Sequence, residues 1–289
     1  VAVATLGPAI VRPVVGVLSA PLRRVAGLPG ALGRENALRN PRRTSATAAA
    51  LMIGVGLVGT TTVLASSAKA SVDHTIERSF TGDIVVDSGV MSAGTLSPAL
   101  AEQVASLPEV GAVMSLRVTV AEIGGDAQQV AGVDAATAVE LFDLGETEGS
   151  VAALGADEIA LSKAEADDAG LAVGDAVRLR FAETGEQTFT VGAVYTEDAA
   201  AGGFVVDLSA FEANVADQLD AKVFVEVAHG SSLVSAKAAV ERVAQAYPQA
   251  AVQDRAEFAA ATGAHIDEML NMVYALLALA IVIALIGIA

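Results

Sequence analysis

Hydrophobic positions fall along this chain in two contrasting regimes. Residues 44–68, TSATAAALMIGVGLVGTTTVLASSA, make a run of 25 without a charged side chain, and residues 269–289 make another of 21. About 20 apolar residues at ~1.5 Å rise each cross a hydrocarbon core, so both runs predict membrane-spanning helices. Between them the pattern breaks into short alternating segments. Strands are predicted at 83–87, 110–123, 128–133, 158–161, 176–181, 187–195, 204–206, 222–227 and 251–253, with Gly124-Gly125 and Glu183-Thr184-Gly185-Glu186 as hairpin turns. Helices are predicted at 97–107, where Ser97 is an N-cap and Pro98 lies in the first turn, and at 135–142, 162–169 and 231–246. A polar helix over 71–79 extends the first span, and a helix over 257–267 leads into the second. This order predicts transmembrane α-helices flanking an α+β extracytoplasmic domain, with βαβ units at each end and a β-rich insert between them.

The N-terminal part reads differently. Residues 1–11 are apolar but short, and Arg12-Pro13 follows at once. They are expected to end a preceding span, with 14–22 at the interface, because the positively charged n-region of a signal peptide is missing. Over 31–40, ALGRENALRN, the residues Ala31, Leu32, Glu35 and Leu38 recur at helical spacing, and Pro41 is expected to end that helix. A basic amphipathic helix beside a span lies along the membrane surface, which makes Arg34, Glu35, Arg39, Arg42 and Arg43 the candidate surface residues. On the span, Ala46, Ala50 and Gly54 stand four residues apart and form a small-residue seam for close helix packing. Residues 54–59, GVGLVG, also match the GxGxxG dinucleotide fingerprint. That fingerprint needs a strand before it and an exposed turn, and here it sits inside an apolar run, so helix packing is the better reading.

Charge supplies the orientation. The net charge of −17 conceals an asymmetry: residues 1–70 carry 8 Lys+Arg against one acid, whereas residues 71–268 carry 9 Lys+Arg and 33 Asp+Glu. Arginines crowd the N-terminal side of the first span, so the positive-inside bias places 23–43 in the cytoplasm and 70–268 outside. The mean hydropathy of +0.55 agrees with a membrane protein. An acidic outer domain excludes nucleic acid as a partner. No cysteine is present, which removes disulfides and thiolate metal sites.

Motifs for chemistry are missing as well. There is no G-x-x-x-x-G-K-[ST] phosphate loop and no G-x-S-x-G elbow. His74, His229 and His265 stand far apart without ligand spacing, and the clusters Asp167-Asp168 and Glu146-Thr147-Glu148 do not match a calcium loop and read as solvated helix and loop faces. The expectation is a non-catalytic chain with no cofactor, no metal and no catalytic residue.

Residues 34–44, RENALRNPRRT, together with the order of basic helix, alanine- and glycine-rich span, large outer domain and returning span, resemble the FtsX-like, MacB-like ABC transporter permease family. Residues 171–179, LAVGDAVRL, and 189–194, FTVGAV, resemble the β-rich insert of that family's periplasmic core domain. The resemblance implies porter-like parts at 80–140 and 215–262 with the insert at 141–214, between spans at 44–69 and 269–289. It also implies a permease subunit that pairs with a second permease subunit, as homo- or heterodimer, in a bacterial cell membrane. A separate ABC ATP-binding subunit would drive it, with ATP hydrolysis moving the outer domain, export as the expected direction, and further spans following Ala289. From a different class, the alternative is a membrane-anchored sensor that presents a ligand-binding ectodomain on a two-span hairpin.

Overall fold

The computed structural model describes residues 80–88, 96–196 and 202–286, and, nearer the N-terminus, residues 56–67 with scattered positions between 35 and 54. The chain divides into two compact units, one of residues 1–70 with 264–289 and one of residues 71–263. The expected helix at 71–79, the interfacial segment 1–22, His74, Arg34, Arg42, Arg43, Ala46 and Ala50 lie outside the described residues.

The second unit is built on one long strand, β2 (Val110–Ile123). Its first half pairs antiparallel with β9 (Lys222–Val227), and β9 pairs with β1 (Ile84–Asp87), which pairs in turn with β10 (Ala251–Asp254). Helices α1 (Pro98–Ala105) and α5 (Leu233–Ala244) cover one face of this four-stranded sheet, burying Leu100, Val104, Ala236 and Val240 against Ile84, Val86, Val223 and Val225. Removing such branched apolar side chains from water is worth about 1.5–3 kcal/mol each. The same period-2 alternation turns Val85, Phe224 and Met114 to the opposite face. There they meet Phe80, Phe142 and helix α2 (Ala135–Leu141).

Beyond Leu116, β2 changes partners. Its second half pairs with β3 (Asp126–Val133), and Leu116 itself stands opposite both Val133 of β3 and Lys222 of β9. β3 runs parallel to β8 (Phe204–Asp207), which pairs with β5 (Glu158–Ser162), which runs parallel to β7 (Gly185–Tyr195). β7 forms a hairpin with β6 (Ala176–Phe181), and β6 returns to β2 at Glu122↔Arg180 and Ile123↔Leu179. The six strands therefore close into a ring, joined between β6 and β2 at those two residue pairs. Alternation along β6 sends Val177, Leu179 and Phe181 inward and Ala176, Arg178 and Arg180 outward. Ile123, Val130, Ile159, Leu161, Phe189 and Val206 belong to the same apolar core. Phe211 of α4 (Leu208–Asn214) joins it, as does Ala166 of α3 (Lys163–Ala169). At Gly132 on β3 a Cβ would stand 2.5 Å from the Phe211 ring, so the close approach of α4 depends on glycine there. The short strand β4 (Thr147–Gly149) pairs with β7 outside the ring.

Three elements were not expected: β4, a 3-10 turn at Val151–Ala153, and α4. The solvated face expected at Glu146-Thr147-Glu148 is exposed, though not all of it as helix or loop. Thr147 and Glu148 instead lie on an exposed edge strand held by backbone pairing. In the first unit Pro41 is itself helical, and residues 40 and 42–44 on either side of it lie outside the described residues. Along 54–65 the least exposed positions are Gly54, Val58, Thr61 and Ala65, one helical stripe. Thr60 and Thr62 return their hydroxyls to the carbonyls of Gly56 and Val58 four residues back. Thr62 also meets the Tyr274 hydroxyl at 2.9 Å, joining this helix to α6 (Arg255–Ile286). Among the described residues no helix is long and apolar enough to cross a membrane. The two expected spans therefore rest on the sequence.

Candidate functional site

The second unit contains a polar cluster where α6 begins. Asp254, the last residue of β10, accepts the Glu257 N–H at 2.9 Å, and the Glu257 carboxylate accepts the Asp254 N–H at 3.0 Å. This reciprocal pair satisfies two amide donors that a helix start leaves open. Lys237 of α5 donates to Asp254 Oδ2 at 3.3 Å and to Glu257 Oε2. The Lys237 hydrogen bond holds the Glu257 carboxyl below its ordinary range, with the Asp254 N–H adding to it. Asp254 is lowered first by the Glu257 N–H and then by Lys237, and Lys237 is raised mainly by Glu257. All three groups favour their charged forms.

Arg255 reaches the opposite way. Its guanidinium donates to the Thr81 carbonyl at 2.6 Å and to the Gly82 carbonyl at 2.7 and 3.1 Å, and its backbone N–H donates to Asp83 O at 3.2 Å. It also lies 5.6 Å from the centroid of the Phe80 ring, within cation–π range. Gly82 is needed there, because a Cβ would meet that ring at 2.5 Å. Thr81 is held from its other side by the carbonyls of Glu140 and Leu141, both at 2.9 Å. Phe80, Phe142 and Phe224 pack as a trio with centroids 4.9–5.9 Å apart. Lys222, whose amine burial pushes down in pKa, stands 4.9 Å over Phe258, in the first turn of α6. The segment leading into the domain and the helix leading out are thus tied to each other at one place.

Of the candidate site residues named from the sequence, Glu35, Arg39 and Gly54 are described, and none of them contributes to this cluster. Glu35 and Arg39 are exposed and form an i,i+4 ion pair at 3.6 Å, and Gly54 is buried. His229 is exposed. The cluster had a local sign: Asp254-Arg255-Ala256-Glu257 is a D-x-x-E box ahead of an apolar run. Nothing local marks the partners of Arg255, which are backbone carbonyls 173 and 174 residues away.

The second unit is thus an α+β domain of ring and sheet whose leading segment and outgoing helix meet at the base of α6. Residues 44–243 match the MacB-like periplasmic core domain, and the chain belongs to that family, within the MacB/FtsX-like ABC transporter permeases. Members are permease components of membrane-associated transporters with an extracytoplasmic segment, and they work with ABC ATPase partners. Solved structures of low identity are similar. The periplasmic region of MacB from Actinobacillus actinomycetemcomitans is 12% identical over 61% of this chain and 90% of that one, with a TM-score of 0.46. A domain of a putative permease protein from Porphyromonas gingivalis is 16% identical over 62% and 90%, at 0.38. The extracellular domain of the noncanonic ABC-type transporter YknZ from Gram-positive bacteria is 12% identical over 60% and 99%, at 0.44. No curated protein matches the chain.

Proposed function

We propose that this chain is a permease subunit that couples ATP hydrolysis on a separate ABC subunit to movement of its extracytoplasmic domain, in the direction of export. The observation that carries this reading is the tie at Arg255. A displacement of α6 along its axis would load β1, β10 and the segment at 80–83 together, with no flexible linker to absorb it. The span at 269–289 is supported by its charge-free sequence. The span at 44–69 is supported by its sequence and by the Thr62–Tyr274 contact. Arg34, Glu35, Arg39, Arg42 and Arg43 hold the incoming helix at the lipid headgroups of a bacterial cell membrane, each cation contributing about 1 kcal/mol near an anionic surface. Ala46, Ala50 and Gly54 are the seam for further helices, including those of a second permease subunit.

Affinity purification of the tagged protein from its native membrane tests the reading. An ATP-binding subunit that copurifies and hydrolyses ATP is the expected result. A protein that emerges alone, without nucleotide hydrolysis, refutes it and favours a membrane-anchored sensor.

A further inference from the structure

The odd-numbered face of β2 is apolar at both ends and charged in the middle. Val113 packs under α1 and α5, and Ala121 and Ile123 pack inside the ring. Between them Ser115 and Arg117 bind Asp220: Ser115 Oγ donates to Oδ2 at 2.8 Å, and Arg117 Nε donates to Oδ1 at 2.9 Å. Arg117 Nη1 also donates to Glu212 of α4 at 2.9 Å and to Gln218. Arg117 is 6% exposed and Asp220 is 0% exposed. The Asp220 backbone is itself fixed by a two-way bridge to Leu96, at 2.9 and 3.0 Å. Burial pushes the Asp220 carboxyl up, and the Arg117 and Ser115 hydrogen bonds oppose that.

On the even-numbered face of β2 the core runs unbroken from Met114 to Val118, and Val120 and Glu122 beyond it are exposed. Met114, Leu116 and Val118 belong to one apolar core that extends from Phe224 and Val85 to Val205 and Tyr195. The sheet and the ring therefore share a continuous core on one side, while on the other a charged seam separates two cores. The seam lies beside both places where the chain passes between the two parts: the Leu116–Arg117 step of β2, and residues 215–221 between α4 and β9. A buried ion pair often costs more in desolvation than it returns, so added stability does not account for its place there. What it supplies is direction, because charge-assisted hydrogen bonds fix an angle whereas apolar contacts tolerate small shear.

We propose that the Arg117–Asp220 network is an angular lock between the four-stranded sheet and the ring, and that releasing it lets the ring turn about the Leu116–Arg117 step. The lock is a property of the domain and holds whether or not an ATPase drives the chain.

The absence of cysteine makes the test direct. Thr188, exposed on the ring, and Gln245, exposed after α5, are replaced by cysteine and spin-labelled in the whole chain, and the distance between them is measured by pulsed electron resonance. The parent pair gives one narrow distance. Arg117→Met and Asp220→Asn, each on that background, are expected to add a second distance in the folded protein. Asn preserves the shape of the aspartate, so Asp220→Asn decides the matter if Arg117→Met does not fold. A single unchanged distance overturns the proposal, including the case where thermal stability falls, since the pair would then only stabilise.

Discussion

Replacing Arg255 by methionine removes the guanidinium and keeps most of the stem. Two carbonyls, those of Thr81 and Gly82, lose a charged donor. A hydrogen bond to a charged group contributes about 1.5–3 kcal/mol, and we take the low end for each because the site is only half-buried. Loss of the contact with Phe80 adds about 0.5–1 kcal/mol, and the water that replaces the donor offsets part of the total. A net loss of about 2–3 kcal/mol corresponds to a roughly 30- to 150-fold increase in local opening. Hydrogen exchange of the whole chain, followed by mass spectrometry, reads this directly. Peptides over 80–87 and 251–258 should lose protection by that factor, while those over 159–161 and 189–195 in the ring should not change. If protection falls equally everywhere, Arg255 is an ordinary contributor to global stability. If protection at 80–87 is unaltered, the two ends of the domain are not tied through this side chain, and the coupling argument fails with it.

Gly132→Ala brings a methyl group to 2.5 Å from Phe211 and should destabilise the domain by about 1–3 kcal/mol in denaturant unfolding, with part of the loss recovered on adding Phe211→Leu. The Lys237 cluster should loosen in acid. Asp254 and Glu257 have folded pKa values below their ordinary 3.8 and 4.5, so their contribution is present above those values and is lost as pH falls through the lowered ones. Lys237 is raised above 10.5 and adds nothing to this loss, because its contribution persists at every lower pH. Hydrogen exchange of 251–258 should therefore speed up relative to the ring between about pH 4 and 2, and Glu257→Gln should flatten that dependence. On the proposed function, a Gly/Ser insertion after Gly263 should leave the domain folded and the complex assembled while export stops; undiminished export would refute rigid transmission.

Strands with a simple environment were legible residue by residue. The alternation AVRLRF predicts β6 with its observed limits, and β2 and β9 also match at both ends. Each has a face pattern fixed by nearest neighbours. What sequence pattern cannot supply is closure. The pairing Glu122↔Arg180 joins segments whose own patterns are already complete, and nothing in either one names the other. Arg117 misleads for a similar reason: with Ser115 and Thr119 it makes a polar face that reads as solvent-exposed until Asp220, Glu212 and Gln218 cover it. Helix α4 escaped because about two turns of LSAFEAN, anchored by Phe211 and capped by Asp207, have too few apolar positions to show a period. At the base of α6 the capping box was written in the sequence, whereas the carbonyls that Arg255 binds carry no side-chain code at all.

The central place of β1 also governs how this domain can come into being. Ile84 stands between Val225 and Asp254, so the first strand of the domain has no sheet partner until more than a hundred further residues have followed it. Pairings of such sequence separation form slowly, since the chain entropy is lost before the contacts are gained. During synthesis the apolar segment Ile84–Asp87 must wait with both edges open while the ring, whose strands lie between Val110 and Asp207, can already close. The order of assembly is then ring first and sheet last, and the strand most exposed to mispairing is the one that finally joins the two ends of the domain.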